Sequence, residues 1–256
     1  NGIGPVLFKQ LITQFGSAAA VYQANYKKLT QVPGVGEKVA RQILSKADLA
    51  IAESELSKAD KLGFEIITAT EERFPKRLKG LFDTPSVIYS QGNIDYNTHK
   101  TIGIIGTRQA TEYGMHVTES IVKELAPLQP IIVSGLAYGI DIVAHKAAIK
   151  YQTPTVAVMA NGIDSIYPAV HKRTAAELQK NGSLLTEYPL GTRPDQKRFP
   201  ARNRIIAALS DVLIVVESAK RGGSLVTAEF AMNYHRDVFA VPGPLGSPQS
   251  EGCNNL

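Results

Sequence analysis

"GIIGTRQATEYG" (residues 103–114) decides the fold. An apolar, β-branched run at 101–105 reaches a glycine, and a stretch with helical spacing follows at once: the strand–turn–helix passage of a doubly wound α/β sheet. The turn departs from a dinucleotide site. G-x-G-x-x-G needs its second glycine so that the backbone can approach a pyrophosphate, and Arg108 stands in that place. A guanidinium obstructs a pyrophosphate but grips a single phosphate through two parallel hydrogen bonds. The turn thus points to phosphate and away from NAD, and no cofactor is expected.

Working outward, short β-branched runs at 86–90, 130–133, 154–159, 183–185, 211–216 and 237–241 alternate with helix-length segments at 112–126, 140–150, 170–180 and 224–234. Strand–helix alternation with apolar strands predicts a parallel sheet covered on both faces. Residues 74–93 read as an extension packed onto the first strand. In such a sheet ligands lie beyond the carboxyl ends of the strands. Four of these ends are rich in glycine and hydroxyls: Gly106–Thr107–Arg108, "SGLAYGID" from Ser134 and Gly135, "NGIDSIYP" from Asn161, and "ESAKRGGSLVTAEFA" with Gly223 and Ser224. Bare amides, short hydroxyl donors and positive helix ends on one edge are what a phosphate requires.

Charge sharpens this reading. The chain has a net charge of +5, and between Arg193 and Arg204 five basic residues (Arg193, Lys197, Arg198, Arg202, Arg204) face Asp195 alone, which puts +4 of that total in one stretch. Phe199 stands among these cations. An aromatic amid arginines is the composition of a single-strand site, where bases stack and phosphates are neutralised. The alternative is that Phe199 packs beneath the following helix as core.

The first 66 residues read as helical. "GIGPVLFKQLI" from Gly2 and "GVGEKVARQIL" from Gly34 repeat at an offset of 32, pairing Gly2 with Gly34, Gly4 with Gly36 and Gln10 with Gln42. Each copy is a glycine turn opening an amphipathic helix, the arrangement of helix-hairpin-helix modules that receive DNA phosphates at helix ends. Such turns also serve as plain interhelical or protein-docking elements. No apolar run reaches the roughly 18 residues of a membrane span, and the single cysteine, Cys253, excludes internal disulfides. A cytoplasmic protein is expected. The chain lacks an initial methionine and stops abruptly, and so reads as a piece of a longer one.

The blocks "GTRQATEYG", "SGLAYGIDIVAH", "AVMANGIDSIYP", "GSLLTEYPLGTRP", "RFPARNRIIAALSDVLIVVES", "GGSLVTAEFAMNYHRDVFAVPG" and "SEGCNNL" together resemble, in order, the DNA-processing protein A family, DprA or Smf. The resemblance implies a small helix-hairpin-helix/SAM-like domain over 1–66 and an extended Rossmann-like domain over 67–256. It implies a non-catalytic, dimeric bacterial protein that binds and protects single-stranded DNA in natural transformation and loads the recombinase RecA. The turn at Gly106, Thr107 and Arg108 would contact the DNA backbone, and Phe199 would stack on a base. Where some relatives use a lysine three places before that aromatic, Gln196 stands here, and Lys197 or Arg198 is the substitute. The DNA-contacting set is therefore Gly106, Thr107, Arg108, Ser134, Gly135, Lys197, Arg198, Phe199, Arg202, Arg204, Gly223 and Ser224.

The rival reading is a nucleotide phosphoribohydrolase of the LOG type, whose P-G-G-x-G-T-x-x-E loop resembles "RGGSLVTAE" (221–229). Arg221, Leu225 and Val226 break that pattern, and Leu225 would block the close approach a glycine permits. Glu229 is then expected to be a helix-surface acid. Asp141 and His145, four apart on a helix, share a face suited to acid–base work or to half a metal site, but two ligands are too few. The simpler expectation is a hydrogen-bonded pair organising the "SGLAYGID" turn. No catalytic or metal-binding residue is assigned. A third possibility is a scaffold that docks RecA and touches DNA incidentally.

Overall fold

The protein is described by a computed structural model over residues 3–256; Gly2, the first glycine of the repeat, lies outside the described residues. Five helices come first: α1 (Pro5–Phe15), α2 (Ala18–Gln23), α3 (Tyr26–Thr30), α4 (Glu37–Ser45) and α5 (Asp48–Leu62). Leu11, Val21, Leu29, Val32, Val35, Ala40 and Ile43 form their own core, which explains the helical spacing of the repeat. The hairpin turn of residues 32–36 leads into α4, but α4 carries Glu37 in its first turn, and Arg41 is tied to it at 2.5 Å. An acid there counteracts the pull of a helix N-terminus on phosphate.

The rest of the chain forms an eight-stranded sheet of β1 (Glu65–Thr68), β2 (Val87–Gly92), β3 (Thr101–Ile105), β4 (Ile131–Ser134), β5 (Thr155–Val158), β6 (Gly182–Thr186), β7 (Val212–Val215) and β8 (Asp237–Ala240), in the order β1-β2-β6-β5-β4-β3-β7-β8. The six strands from β6 to β8 are parallel, while β2 pairs antiparallel with β6 and β1 with β2. The expected parallel sheet is therefore mixed at one margin. Residues 74–93 do not extend β3; they deliver β2 to β6, with Phe74 and Leu78 fully buried beneath. The strand β1 falls across the boundary expected at residue 66, because "EIIT" is too short to announce itself beside a long helix.

Residues of β4, β5 and β6 are buried throughout, as continuous apolar runs covered on both faces should be. One face carries α6 (Glu112–Leu125), α7 (Ile140–Lys150) and α8 (Lys172–Leu178), packed through Val122, Ala144, Ala148, Ala175 and Leu178. The other carries α9 (Arg198–Leu209) and α10 (Gly223–Asn233), packed through Ile205, Ile206, Ala228 and Ala231. A short α11 (Glu251–Asn254) follows β8. The helical module rests on the sheet through Ala59 of α5, and Glu55 Oε1 accepts the Leu190 amide at 2.7 Å. The order in which strands are added reverses at β3: β4 lies on one side of it and β7 on the other, so the switch point falls between the carboxyl ends of β3 and β7. Among the described residues no helix is long and apolar enough to cross a membrane.

Candidate nucleic-acid interface

Three helix N-termini converge on the switch point, and their chemistry differs. At α6, Thr111 caps the helix, its Oγ1 accepting the Gly114 amide at 3.1 Å. Glu217, only 2% exposed, accepts the Thr111 amide at 2.9 Å and the Thr111 hydroxyl at 2.5 Å, and its backbone carbonyl accepts the Thr107 amide at 2.7 Å. The protein's own carboxylate thus occupies the helix end where a dinucleotide site holds its phosphates. Gly114 makes this fit possible, since a side chain there would run into that carboxylate. At α7 the first turn holds Asp141, a buried acid. Only α10, with Gly222 at its cap and Gly223 exposed, lacks an acid in its first turn. Of its leading amides, that of Leu225 is taken by the Gly222 carbonyl at 3.1 Å, while those of Gly223 and Ser224 stand at positions that a helix leaves without intrahelical acceptors.

The turn after β3 offers a cation. Thr107 is committed to the fold: its carbonyl accepts the Ile140 amide at 3.1 Å and its Oγ1 accepts the Gln109 amide at 3.2 Å. Arg108 is exposed. Gly139, at φ +74, packs so closely against the backbone of Thr107 and Arg108 that any side chain would collide, which locks the "SGLAYGID" loop to the arginine's turn. The Arg108 guanidinium lies over the Phe199 ring, 5.1 Å from its centroid, and Tyr167 meets that ring at 5.8 Å with a 41° tilt.

Helical geometry selects what α9 contributes. Phe199, Arg202, Asn203 and Ile206, at spacings of three, four and seven, all line one crevice of about 260 Å³ between the ends of β3 and β7. Arg202 is 4% exposed; its Nη1 donates to the carbonyls of Gly135, at 2.5 Å, and Val158, and its Nε to Asn203 Oδ1 at 3.2 Å. Burial pushes the Arg202 guanidinium down to about 10 against the pull of Asp141, and Arg108 lowers it further. Burial also raises the Asp141 carboxyl, opposed first by Arg202 and then by the Ala137 amide. A smaller slot adjoins the crevice across Phe199, with Arg108 and Arg202 also common to both and Tyr138, Tyr167 and Pro168 on its far wall.

Of the residues singled out from sequence, Gly106, Thr107, Arg108, Phe199, Arg202, Gly223 and Ser224 meet at the crevice and Gly135 at the slot. Others are drawn elsewhere. The Ser134 hydroxyl is fully buried and donates to the Ile104 carbonyl at 2.6 Å. Ser224, though it lines the crevice, spends its proton on Ser218 at 2.7 Å. Lys197 points to solvent, its amide bonded to Asp195 at 2.8 Å, and Arg198 lies 5.5 Å over the Tyr188 ring with its Nη1 on the Arg193 carbonyl. Arg204, two positions past Arg202 and so on the opposite side of α9, is paired with Glu187 and donates to the Asp83 carbonyl at 2.9 Å. The sequence reading missed Tyr138, Tyr167, Asn203 and Glu217; the two tyrosines stand in strand-end loops already singled out, and Asn203 falls on the Phe199 face of its helix.

Asp141 and His145 do not form the expected pair. The Thr155 hydroxyl donates to the Ile132 carbonyl, so His145 Nδ1 carries the proton that it gives to Thr155 Oγ1 at 2.8 Å; Nε2 is buried without a partner. Burial, with Arg202 and His171 nearby, pushes this imidazole down to about 3. Glu229 is exposed on α10. Cys253 is buried and pushed up to about 11, chiefly by burial. Among the described residues no group of three or more His, Cys, Asp or Glu could hold a metal ion.

Fold and site together define a Rossmann-like protein whose switch point presents a cation, an open helix end and aromatic faces in place of a dinucleotide cradle. A model of the family described as DNA recombination-mediator protein A matches residues 65–256, and a model of the SAM-like helix-hairpin-helix tandem matches residues 1–48. The chain belongs to the DNA recombination-mediator protein A family, known as DprA or Smf. It is 34% identical over 260 residues to Protein Smf of Synechocystis, covering all of this chain and 65% of that relative, so it spans a little under two thirds of the relative's length. The X-ray structure of DNA processing protein A from Streptococcus pneumoniae superposes with a TM-score of 0.89 at 31% identity, over 100% of this chain and 88% of that one. DNA processing protein A from Helicobacter pylori, whose structure is described as revealing a unique single-stranded DNA binding mode, matches with a TM-score of 0.69 at 34% identity over 75% of this chain and 86% of that one.

Proposed function

We propose that the switch-point crevice binds single-stranded DNA without turnover, and that the protein holds and protects incoming single strands in natural transformation, as a homodimer in the cytoplasm, and hands them to RecA. The observation that carries the DNA reading is the stacking of Arg108 on Phe199 in a crevice where the α10 helix end, with no acid in its first turn, also opens. The single-strand binding ascribed to the H. pylori relative, 34% identical over 75% of this chain, supports it.

On this reading a phosphate draws Arg108 off the Phe199 ring and is held between the guanidinium and the leading amides of α10. The released face of Phe199 then takes an unpaired base. The buried Arg202 supplies a fixed positive potential without moving, since two backbone carbonyls anchor it. Duplex DNA keeps its base faces stacked and gains only the phosphate part. Small nucleotides gain little, because Glu217 fills the α6 end that would seat a terminal phosphate. Dimerisation would bring two crevices to one strand and raise effective concentration without new contacts. The test is fluorescence anisotropy of labelled oligo-dT and of a duplex of equal length against the protein and Arg108→Glu. The reading requires preference for the single strand and its collapse in the variant; equal binding of both DNAs, or no change in the variant, rejects it.

A further inference from the structure

Beyond the crevice, the slot on the other side of Phe199 opens onto a surface with the same two ingredients. Tyr167 flanks Phe199 and is 46% exposed; Tyr138, 50% exposed, stands across the slot and meets the His171 ring edge-on at 5.1 Å. The next two residues, Lys172 and Arg173, are exposed, and neither takes part in an ion pair among the described residues. The acids nearest in sequence are already engaged: Asp164 accepts the Gly191 amide at 3.0 Å, and Glu177 is paired with Lys180. Half-exposed tyrosines usually bury their rings where a partner is available. Three aromatic rings about one slot, with two cations outside any ion pair beside it, match a continuing polyanion with bases in chemistry and in charge.

We infer that the single strand does not end in the crevice but runs on across the slot, over Tyr167 and Tyr138, to Lys172 and Arg173, a second subsite that neutralises about two further phosphates. This rests on the proposed DNA reading of the crevice and extends it. His171 acts as a positioning residue: its Nδ1 donates to the Leu136 carbonyl at 2.8 Å, and Leu136, at φ +57, is held in a left-handed conformation that a branched side chain adopts at a cost of about 1 kcal/mol. That bond fixes the loop on which Tyr138 sits.

The test is a length series of oligo-dT, from about four to about twelve nucleotides, the span over which single-strand sites typically fill, titrated by anisotropy at several salt concentrations. Tyr138→Ala and Lys172→Ala/Arg173→Ala leave Phe199 and Arg108 themselves in place, and all three side chains are exposed enough for the fold to survive. The double variant should lower the slope of log affinity against log salt by about 1.4 for the long strand, at about 0.7 per phosphate. Tyr138→Ala should weaken the long strand about five-fold or more, and neither variant should move the short strand beyond about two-fold. If both variants leave the long strand unchanged, or weaken both lengths alike, the second subsite is wrong. Arg108→Glu separates the two layers: where it abolishes binding at every length while the subsite variants do nothing, the crevice stands and only the extension falls.

Discussion

Replacing Phe199 with alanine tests the division of labour within the crevice. Stacking of a base on an aromatic side chain contributes about 1–3 kcal/mol. In this structure the ring is already covered by Arg108 at 5.1 Å, a cation–π contact worth about 0.5–1 kcal/mol at an exposed site. That contact must be given up before the base can stack, and in the alanine variant it is absent from the start. The net loss is therefore the difference, about 0–2.5 kcal/mol and centred on about 1.2, or up to roughly sixty-fold in Kd at 1.4 kcal/mol per decade. The freed guanidinium still meets its phosphate, so the salt slope should stay as in the parent protein. Anisotropy with oligo-dT at several salt concentrations measures both quantities. A loss confined to the single strand, with slope unchanged, is the expected result. Equal loss on single strand and duplex, or a slope shallower by about one phosphate, would mean that Phe199 only braces Arg108, and the stacking argument would be refuted. Because the chain contains no tryptophan, Phe199→Trp gives an independent readout: its fluorescence should be quenched by oligo-dT and little altered by duplex.

Arg108→Ala should reduce the single-strand salt slope by about 0.7, the share of one phosphate, as read from the same titrations. Arg204→Met should leave single-strand affinity within about two-fold but cost about 1–3 kcal/mol of stability, because it leaves the partly buried Glu187 carboxylate without its guanidinium while Asp83 keeps the Tyr234 hydroxyl; urea denaturation measures it, and lost affinity without lost stability would return Arg204 to the DNA site. The His145 pKa is depressed from its ordinary value to about 3 in the folded chain, so the unfolded chain takes up the proton first, and stability should fall as pH drops from about 6.5 towards 3. His145→Gln should flatten that part of the pH–stability curve; an unchanged curve would show that the imidazole is not held neutral.

The parallel sheet was legible because β3 to β8 are apolar runs punctuated by glycine, and the turn at Gly106 announced its switch point. The antiparallel margin was not: β1 is four residues long, and nothing in 74–93 says which sheet edge it seeks. At the site, the sequence marked Arg108, Phe199 and the α10 glycines by residue type alone. It could not tell that a basic stretch wound into a helix sends its charges in different directions, so that Arg202 enters the crevice while Arg204 is drawn to Glu187. Nor could it tell that Ser134 faces the Ile104 carbonyl, or that Glu217, far off in sequence, supplies the anion at α6. These placements depend on partners brought in across the sheet, which local pattern does not encode.

Where a bound strand lies decides most directly whether the crevice is the DNA site. A crystal structure with oligo-dT should have a phosphate between Arg108 and the first amides of α10, with Arg108 lifted from the Phe199 ring and a base stacked in its place. A strand bound elsewhere, with Arg108 still covering Phe199, would contradict it.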